Sequence, residues 1–275
     1  MRFVTLEREG SIGIVTLSRP GRLNAMSRAL TRDAEAAFCQ ANADPKIAVI
    51  VFTGAGRAFC AGDDLKEFAE QSASPTAISD HIGGIQAVTR AMMLSDKVIV
   101  GAIHGYAVGG GFEWLCNCDM VVAADDLVAF FPEMDWGQFV TGGVTHLLPQ
   151  AIGYQRAMRL MVLGERQSAR DLEALGLVGW VVPRHAMLAT AMEIAGNIVG
   201  KSRYSVGKLK RLLAEGLDDR LERALRLEGE ITEEAFGRSE AAERVRTFTE
   251  RSRPRPSRRP RSRRSTDGRG AGEPR

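Results

Sequence analysis

Three consecutive glycines, Gly109-Gly110-Gly111, precede Phe112 and Glu113 and follow closely on the apolar run Val98-Ile99-Val100-Gly101-Ala102-Ile103. An apolar run that empties into glycines and then into a helical pattern points to a strand, a tight turn and a helix. The first N–H groups of a helix have no intrahelical acceptor, and the helix dipole makes that end attractive to negative charge. With no side chains on the glycines, these groups stay bare. Glu113 falls in the first turn, where its carboxylate can reach whatever the N–H groups hold. Donors for an oxyanion beside a carboxylate that can move protons is a layout for activating a carbonyl.

The same alternation runs along the chain. Residues 3–7 and 11–17 around Gly10 predict a hairpin. Met26, Leu30, Ala34, Ala37, Phe38 and Ala41 predict an amphipathic helix over 26–42. The run from Ile47 to Phe52 is short and wholly apolar, as in a strand covered on both faces, and ends at a Thr53-Gly54-Ala55-Gly56 turn. Ser74-Pro75 is a helix start, with Ile78, Ile82, Ile85, Thr89 and Met92 marking one face. A strand over 97–103, a helix near 110–118, and strands near 119–124 and 128–131 follow. Residues 153–163 predict a helix closed by Gly164; Ser168 and Asp171 form a capping-box pattern. A strand over 178–182 leads into a helical remainder, with stripes at Met187, Ala191, Ile194, Ala195 and Ile198 and at Leu217, Leu221, Leu225 and Phe236. The fold class is therefore α/β.

Charge divides the chain in two. The net charge is +3, but residues 250–275 hold ten arginines against three acids and contribute +7, so residues 1–249 sum to −4. The tail has no apolar pattern and is expected to be disordered. It lacks aromatic residues to stack on bases, so specific nucleic-acid recognition is not expected of it. No run approaches the ~18 apolar residues of a membrane span. The N-terminus has no apolar signal core, so a cytoplasmic protein is expected. Cys39, Cys60, Cys116 and Cys118 fit no zinc spacing and are expected as reduced, buried thiols; with four scattered histidines, no metal is expected.

Two loops each put small residues after a strand and before a helix, where ligands bind in open α/β sheets. They are Arg57-Ala58-Phe59-Cys60-Ala61-Gly62-Asp63-Asp64-Leu65 and His104-Gly105-Tyr106-Ala107-Val108-Gly109-Gly110-Gly111-Phe112-Glu113. Taken alone, either is equally suited to tight packing. No Gly-Lys-Ser/Thr follows, which excludes a P-loop, and the contiguous glycines do not match the spaced dinucleotide fingerprint. Together with Arg19-Pro20, Asn24-Ala25, Cys118-Asp119, Phe131-Pro132-Glu133, Gly164-Glu165-Arg166 and Gly176-Leu177-Val178, the loops resemble the enoyl-CoA hydratase/isomerase, or crotonase, superfamily over about residues 3–249.

The resemblance implies a ClpP/crotonase-like spiral of ββα units over residues 1–195 and a helical region over 196–249 that helps form trimers or hexamers. It implies an acyl-CoA thioester substrate, with coenzyme A as part of that substrate and no separate cofactor. The backbone N–H groups of Asp63 and Gly110 would form the oxyanion hole. Glu113 and Glu133 match the two hydratase glutamates and would add water across a 2-enoyl thioester. Ala25, Arg57, Ala61, Asp63, Asp64, Leu65, Lys66, Gly109 and Gly110 would contact substrate, with Arg57 and Lys66 near the phosphates or simply solvated at the surface. Two departures stand out. Asp63 occupies a position usually small or apolar, and Trp136-Gly137-Gln138-Phe139-Val140-Thr141-Gly142-Gly143 replaces a small-residue turn. They leave room for another enolate reaction: isomerisation, decarboxylation, dehalogenation or thioester hydrolysis. Trp136, Phe139, Phe68 and Trp114 would either narrow an acyl pocket or pack the core.

Overall fold

The computed structural model describes residues 1–67, 70, 72–213 and 217–251. Strands β1 (Val4–Glu9) and β2 (Ile12–Leu17) pair as the expected antiparallel hairpin. Strands β3 (Val49–Gly54), β4 (Val98–Ile103), β6 (Met120–Ala124) and β9 (Trp180–Val182) add in parallel, giving the order β1-β2-β3-β4-β6-β9. Every residue of β3 and β4 is buried, which is why both read as unbroken apolar runs rather than alternating ones.

A second sheet contains β5 (Tyr106–Val108), β7 (Val128–Phe130) and β8 (Gln167–Ser168). Single bridges extend the same pattern: Met26 pairs with Asp63, and Cys60 with Ala107. Each turn of chain thus runs through the large sheet, crosses a short extended segment in the second layer, and then continues, in most turns as a helix. This is the spiral of ββα units expected from the resemblance. Helix α1 (Arg28–Ala43) starts at Ser27, whose hydroxyl accepts from the Leu30 N–H. It begins later than the apolar spacing predicts because Met26 is held in its bridge.

Helix α2 (Pro75–Met93) starts at Ser74 and Pro75, and α3 (Gly110–Cys116) follows the glycines. Helix α4 (Val144–Ile152) has no counterpart in the sequence reading. Gly143 precedes it, so no local side chain caps it. The cap comes from Glu228, whose carboxylate accepts the Gly143 and Thr145 N–H groups at 2.7 and 2.9 Å from 85 and 83 residues away. Helix α5 (Tyr154–Leu163) ends at Gly164, and α6 (Ala169–Ala174) carries the Ser168–Asp171 capping box, both as expected.

Helix α7 (Arg184–Val199) covers the large sheet, with Met187, Ala191 and Ala195 packed with Val49, Val51, Val98 and Val100. Helix α8 (Arg203–Leu213) follows. Helix α9 (Leu217–Gly237) folds back on α2, where Gln86 Nε2 donates to the Leu225 carbonyl at 2.6 Å and Arg90 pairs with Glu222 at 2.7 Å. Helix α10 (Ser239–Arg251) lies on the short turn Glu133–Trp136. It reaches two residues into the segment expected as tail; residues 252–275 and Phe68 lie outside the described residues. All four thiols are free, Cys60 buried and Cys116 and Cys118 half-buried, but Cys39 departs from expectation and is exposed on α1. No described helix is long and apolar enough to cross a membrane.

One buried side chain ties the first loop to the frame. Asn24 is fully buried with φ +54°, a conformation asparagine tolerates better than most residues. Its amide nitrogen lies 2.9, 2.9 and 3.0 Å from the Ala55, Ala58 and Phe59 carbonyls, and its oxygen accepts the Arg19 N–H at 2.8 Å. Asn24→Ala leaves several buried backbone groups unpaired. It is expected to lower stability by about 3 kcal/mol in urea unfolding.

Candidate active site

The three glycines are needed for three separate reasons. Gly109 has φ +53°, and a Cβ there would collide with Glu133 Oε1. A Cβ on Gly110 would sit 2.8 Å from Met26 Sδ, and one on Gly111 would strike the Cys60 carbonyl. The backbone is therefore threaded between the first loop, α1's approach and the Glu133 turn. Helix α3 begins at Gly110, whose N–H is one of the four orphan donors of its start.

The Asp63 N–H arrives from the other loop. In the parallel bridge, the Met26 N–H donates to the Gly62 carbonyl at 2.7 Å and the Asp64 N–H to the Met26 carbonyl at 3.2 Å. That alternation turns the Asp63 N–H away from Met26. Gly62 lies against Val108, its missing Cβ only 2.7 Å from the Val108 carbonyl, so the two loops touch. Neither the Asp63 nor the Gly110 N–H has a protein acceptor among the described residues.

Glu113 and Glu133 line one narrow cavity with Gly109, Gly110 and Asp63. Its volume of about 30 Å³ holds one or two water molecules. The Glu113 carboxylate is buried, accepts the Thr141 N–H at 3.1 Å, and lies so close to Gly142 that any side chain there would collide with it. Glu133 is buried at the start of its turn, with Oε2 unpartnered. Burial raises the Glu113 carboxyl well above the usual carboxylate range, and the charges of Glu133, Glu228 and Asp63 raise it further, against the Thr141 hydrogen bond. Burial also lifts Glu133 to about 8, with Asp63 adding to the rise. Two carboxyls held in one small space with raised proton affinity can share protons at neutral pH.

A wider groove of about 1120 Å³ opens beside this cavity. Ala61, Asp63, Leu65, Val108, Pro132 and Trp136 line both. Among the residues anticipated from sequence, Ala61, Asp63, Leu65, Gly109, Gly110, Glu113 and Glu133 converge here. Ala25, Arg57, Asp64 and Lys66 line neither cavity. Arg57 and Lys66 are exposed, while buried Asp64 pairs with Arg19 at 2.6 Å and accepts the Lys66 N–H. Trp136 and Phe139 line the narrow cavity, whereas Trp114 is fully buried in the core, 6.0 Å from the Phe52 ring.

Several residues at the site escaped the sequence reading. Arg166 and Arg244 line the groove, and Gln138, Phe236 and Val245 line the narrow cavity. His81, on α2, is buried with Nε2 3.3 Å from Asp63 Oδ1. Arg166 had a local signal in Gly164-Glu165-Arg166, and Gln138 lies in the Trp136–Gly143 stretch just after Glu133. His81, Phe236, Arg244 and Val245 are carried in by helices.

A sequence profile described as "Enoyl-CoA hydratase/isomerase" matches residues 7–257. A probable mitochondrial enoyl-CoA hydratase of Dictyostelium discoideum is 32% identical over 91% of this chain and 89% of its own length. A mevalonyl-coenzyme A hydratase of Aspergillus fumigatus is 36% identical over 74% of this chain and 73% of its own. An enoyl-CoA hydratase/isomerase structure from Pseudoalteromonas atlantica superposes with TM-score 0.82 at 28% identity, covering 92% of this chain and 99% of that one.

The raised Glu133 carboxyl makes a stability prediction. The folded chain holds a proton on Glu133 up to about pH 8, whereas an ordinary glutamate releases it near 4.5. Between those values the folded state binds more protons than the unfolded one, so stability falls as pH rises. The contribution is complete below the lower value and lost as pH passes the upper one. Glu133→Gln removes this titration, so urea midpoints should decline less between pH about 5 and about 8.5 than in the wild type.

Proposed function

The chain belongs to the enoyl-CoA hydratase/isomerase family, and we propose that it hydrates 2-enoyl-CoA thioesters in the cavity between Glu113 and Glu133. The observation that carries this reading is the pairing of two buried carboxyls with two unpaired N–H donors around a space with room for water. The thioester oxygen sits between the Asp63 and Gly110 N–H groups. One carboxylate removes a proton from water as its oxygen adds to Cβ. The double-bond electrons move to Cα and the carbonyl, placing negative charge on the thioester oxygen. The N–H pair stabilises that enolate more than the neutral carbonyl, so the interaction lowers the barrier rather than merely tightening binding. The second carboxyl then delivers a proton to Cα, and the net change is addition of one water.

The wide groove beside the cavity is the place for the coenzyme A portion. Arg166 and Arg244, both on its wall, are suited to the phosphates. Assembly into trimers or hexamers belongs to the same reading. Val162, Leu163, Leu209, Leu212 and Leu213 leave large apolar side chains exposed on α5 and α8, as faces that meet another chain do.

Crotonyl-CoA consumption, followed by loss of enoyl absorbance and by product mass, tests the reaction. The expected product is the 3-hydroxyacyl-CoA. Glu113→Gln and Glu133→Gln should each lower kcat by about 10²–10⁴. A shifted double bond or free coenzyme A would assign the chain to a different enolate reaction. The kcat/KM of the wild type should fall as pH rises through about 8, where Glu133 gives up its proton.

A further inference from the structure

The walls of the narrow cavity are not those of an alkyl slot. Ile85, Phe139, Phe236 and Val245 supply apolar surface, but Gln138 stands among them. Its amide nitrogen and oxygen are both buried and neither meets a protein partner. A buried amide left unpaired is costly, and an apolar side chain of similar size would serve a hydrocarbon ligand better. On another wall, Asp63 turns its carboxylate toward His81, whose side chain is 1% exposed and whose two ring nitrogens also lack hydrogen-bond partners. Ile85 lies one turn beyond His81 on α2, and the Phe236 ring is 6.2 Å from the imidazole. The unpartnered Gln138 amide and the Asp63–His81 contact therefore stand at or just behind the walls of a space of about 30 Å³.

We propose that this cavity selects a short acyl chain bearing a hydroxyl on the first or second carbon beyond Cβ, recognised by Gln138 and the Asp63–His81 pair. The inference rests on the acyl-thioester reading given above. A hydroxyl both donates and accepts, so it can give its proton to Gln138 Oε1 or to an Asp63 oxygen and accept from Gln138 Nε2. A carboxylate substituent would be buried in a space with three acidic side chains and no described cation on its wall. An alkyl chain in the same place would leave the Gln138 amide unpaired. Gln138 and Asp63 are thus specificity residues of the acyl site, and His81 is a positioning residue acting through Asp63.

Saturated thioesters isolate recognition from reaction. Isothermal titration calorimetry would compare 4-hydroxybutanoyl-CoA with pentanoyl-CoA, and 5-hydroxypentanoyl-CoA with hexanoyl-CoA, since each pair differs only by hydroxyl for methyl. The wild type should bind the hydroxylated member of at least one pair at least about tenfold more tightly. Gln138→Leu should bring that ratio to about one or invert it, and His81→Phe should reduce it while Gln138 remains. Equal binding, or preference for the alkyl member in both pairs of the wild type, overturns the proposal without any variant being needed. A ratio unmoved by Gln138→Leu overturns the role of Gln138. If no thioester binds, the acyl-CoA reading fails and carries this inference with it. If the hydroxyl preference holds but no enoyl-CoA is hydrated, the reaction is wrong and the specificity stands.

Discussion

The structure depends on how closely the backbone at Gly109-Gly110-Gly111 is approached. Three neighbours crowd it at successive residues: the Glu133 carboxylate, the Met26 thioether and the Cys60 carbonyl. Each belongs to a different turn of the spiral. A Cβ at any of the three would push one turn away from the others, and with it one part of the site. The same crowding brings the start of α3 within reach of the loop carrying Asp63. Close packing, rather than any one strong bond, sets the spacing between the N–H donors and the two carboxyls.

The electrostatics of the cavity follow from that packing. Glu113 and Glu133 are buried with Asp63 beside them, and among the described residues no cation lines the cavity wall. Burial and the neighbouring acidic charges both oppose ionisation, so Glu113 and Glu133 hold protons more tightly than exposed glutamates do. Such an arrangement weakens the folded state at neutral pH. It is the compromise of a site that needs proton donors and acceptors side by side.

Much of this was legible in the sequence because its signals are local. The unbroken apolar runs at β3 and β4, the Ser74-Pro75 start and the Ser168–Asp171 box each act within a few residues. The order of the motifs carried the family, and the glutamates spaced across Gly109–Glu133 converge in one cavity. What stayed hidden depends on distant parts of the chain. Helix α4 has no cap in its own sequence because Glu228 supplies it. Asp64 looked like part of a binding loop, but its carboxylate is taken by Arg19, 45 residues earlier. His81 and Phe236 carry no motif, and only the folding of α2 and α9 sets the one behind Asp63 and the other on the cavity wall.

The Glu228 cap has a consequence for the order in which the protein becomes competent. A ribosome that has made both glutamates of the cavity has not yet made the carboxylate that fixes the backbone at Gly143 and Thr145, or the helices bearing Phe236 and Val245. Closing so long a loop costs entropy that only the finished contacts repay. During synthesis the nascent chain can therefore build its sheets while its reaction chamber stands open on one side. Completion of that chamber waits for residues 228–245.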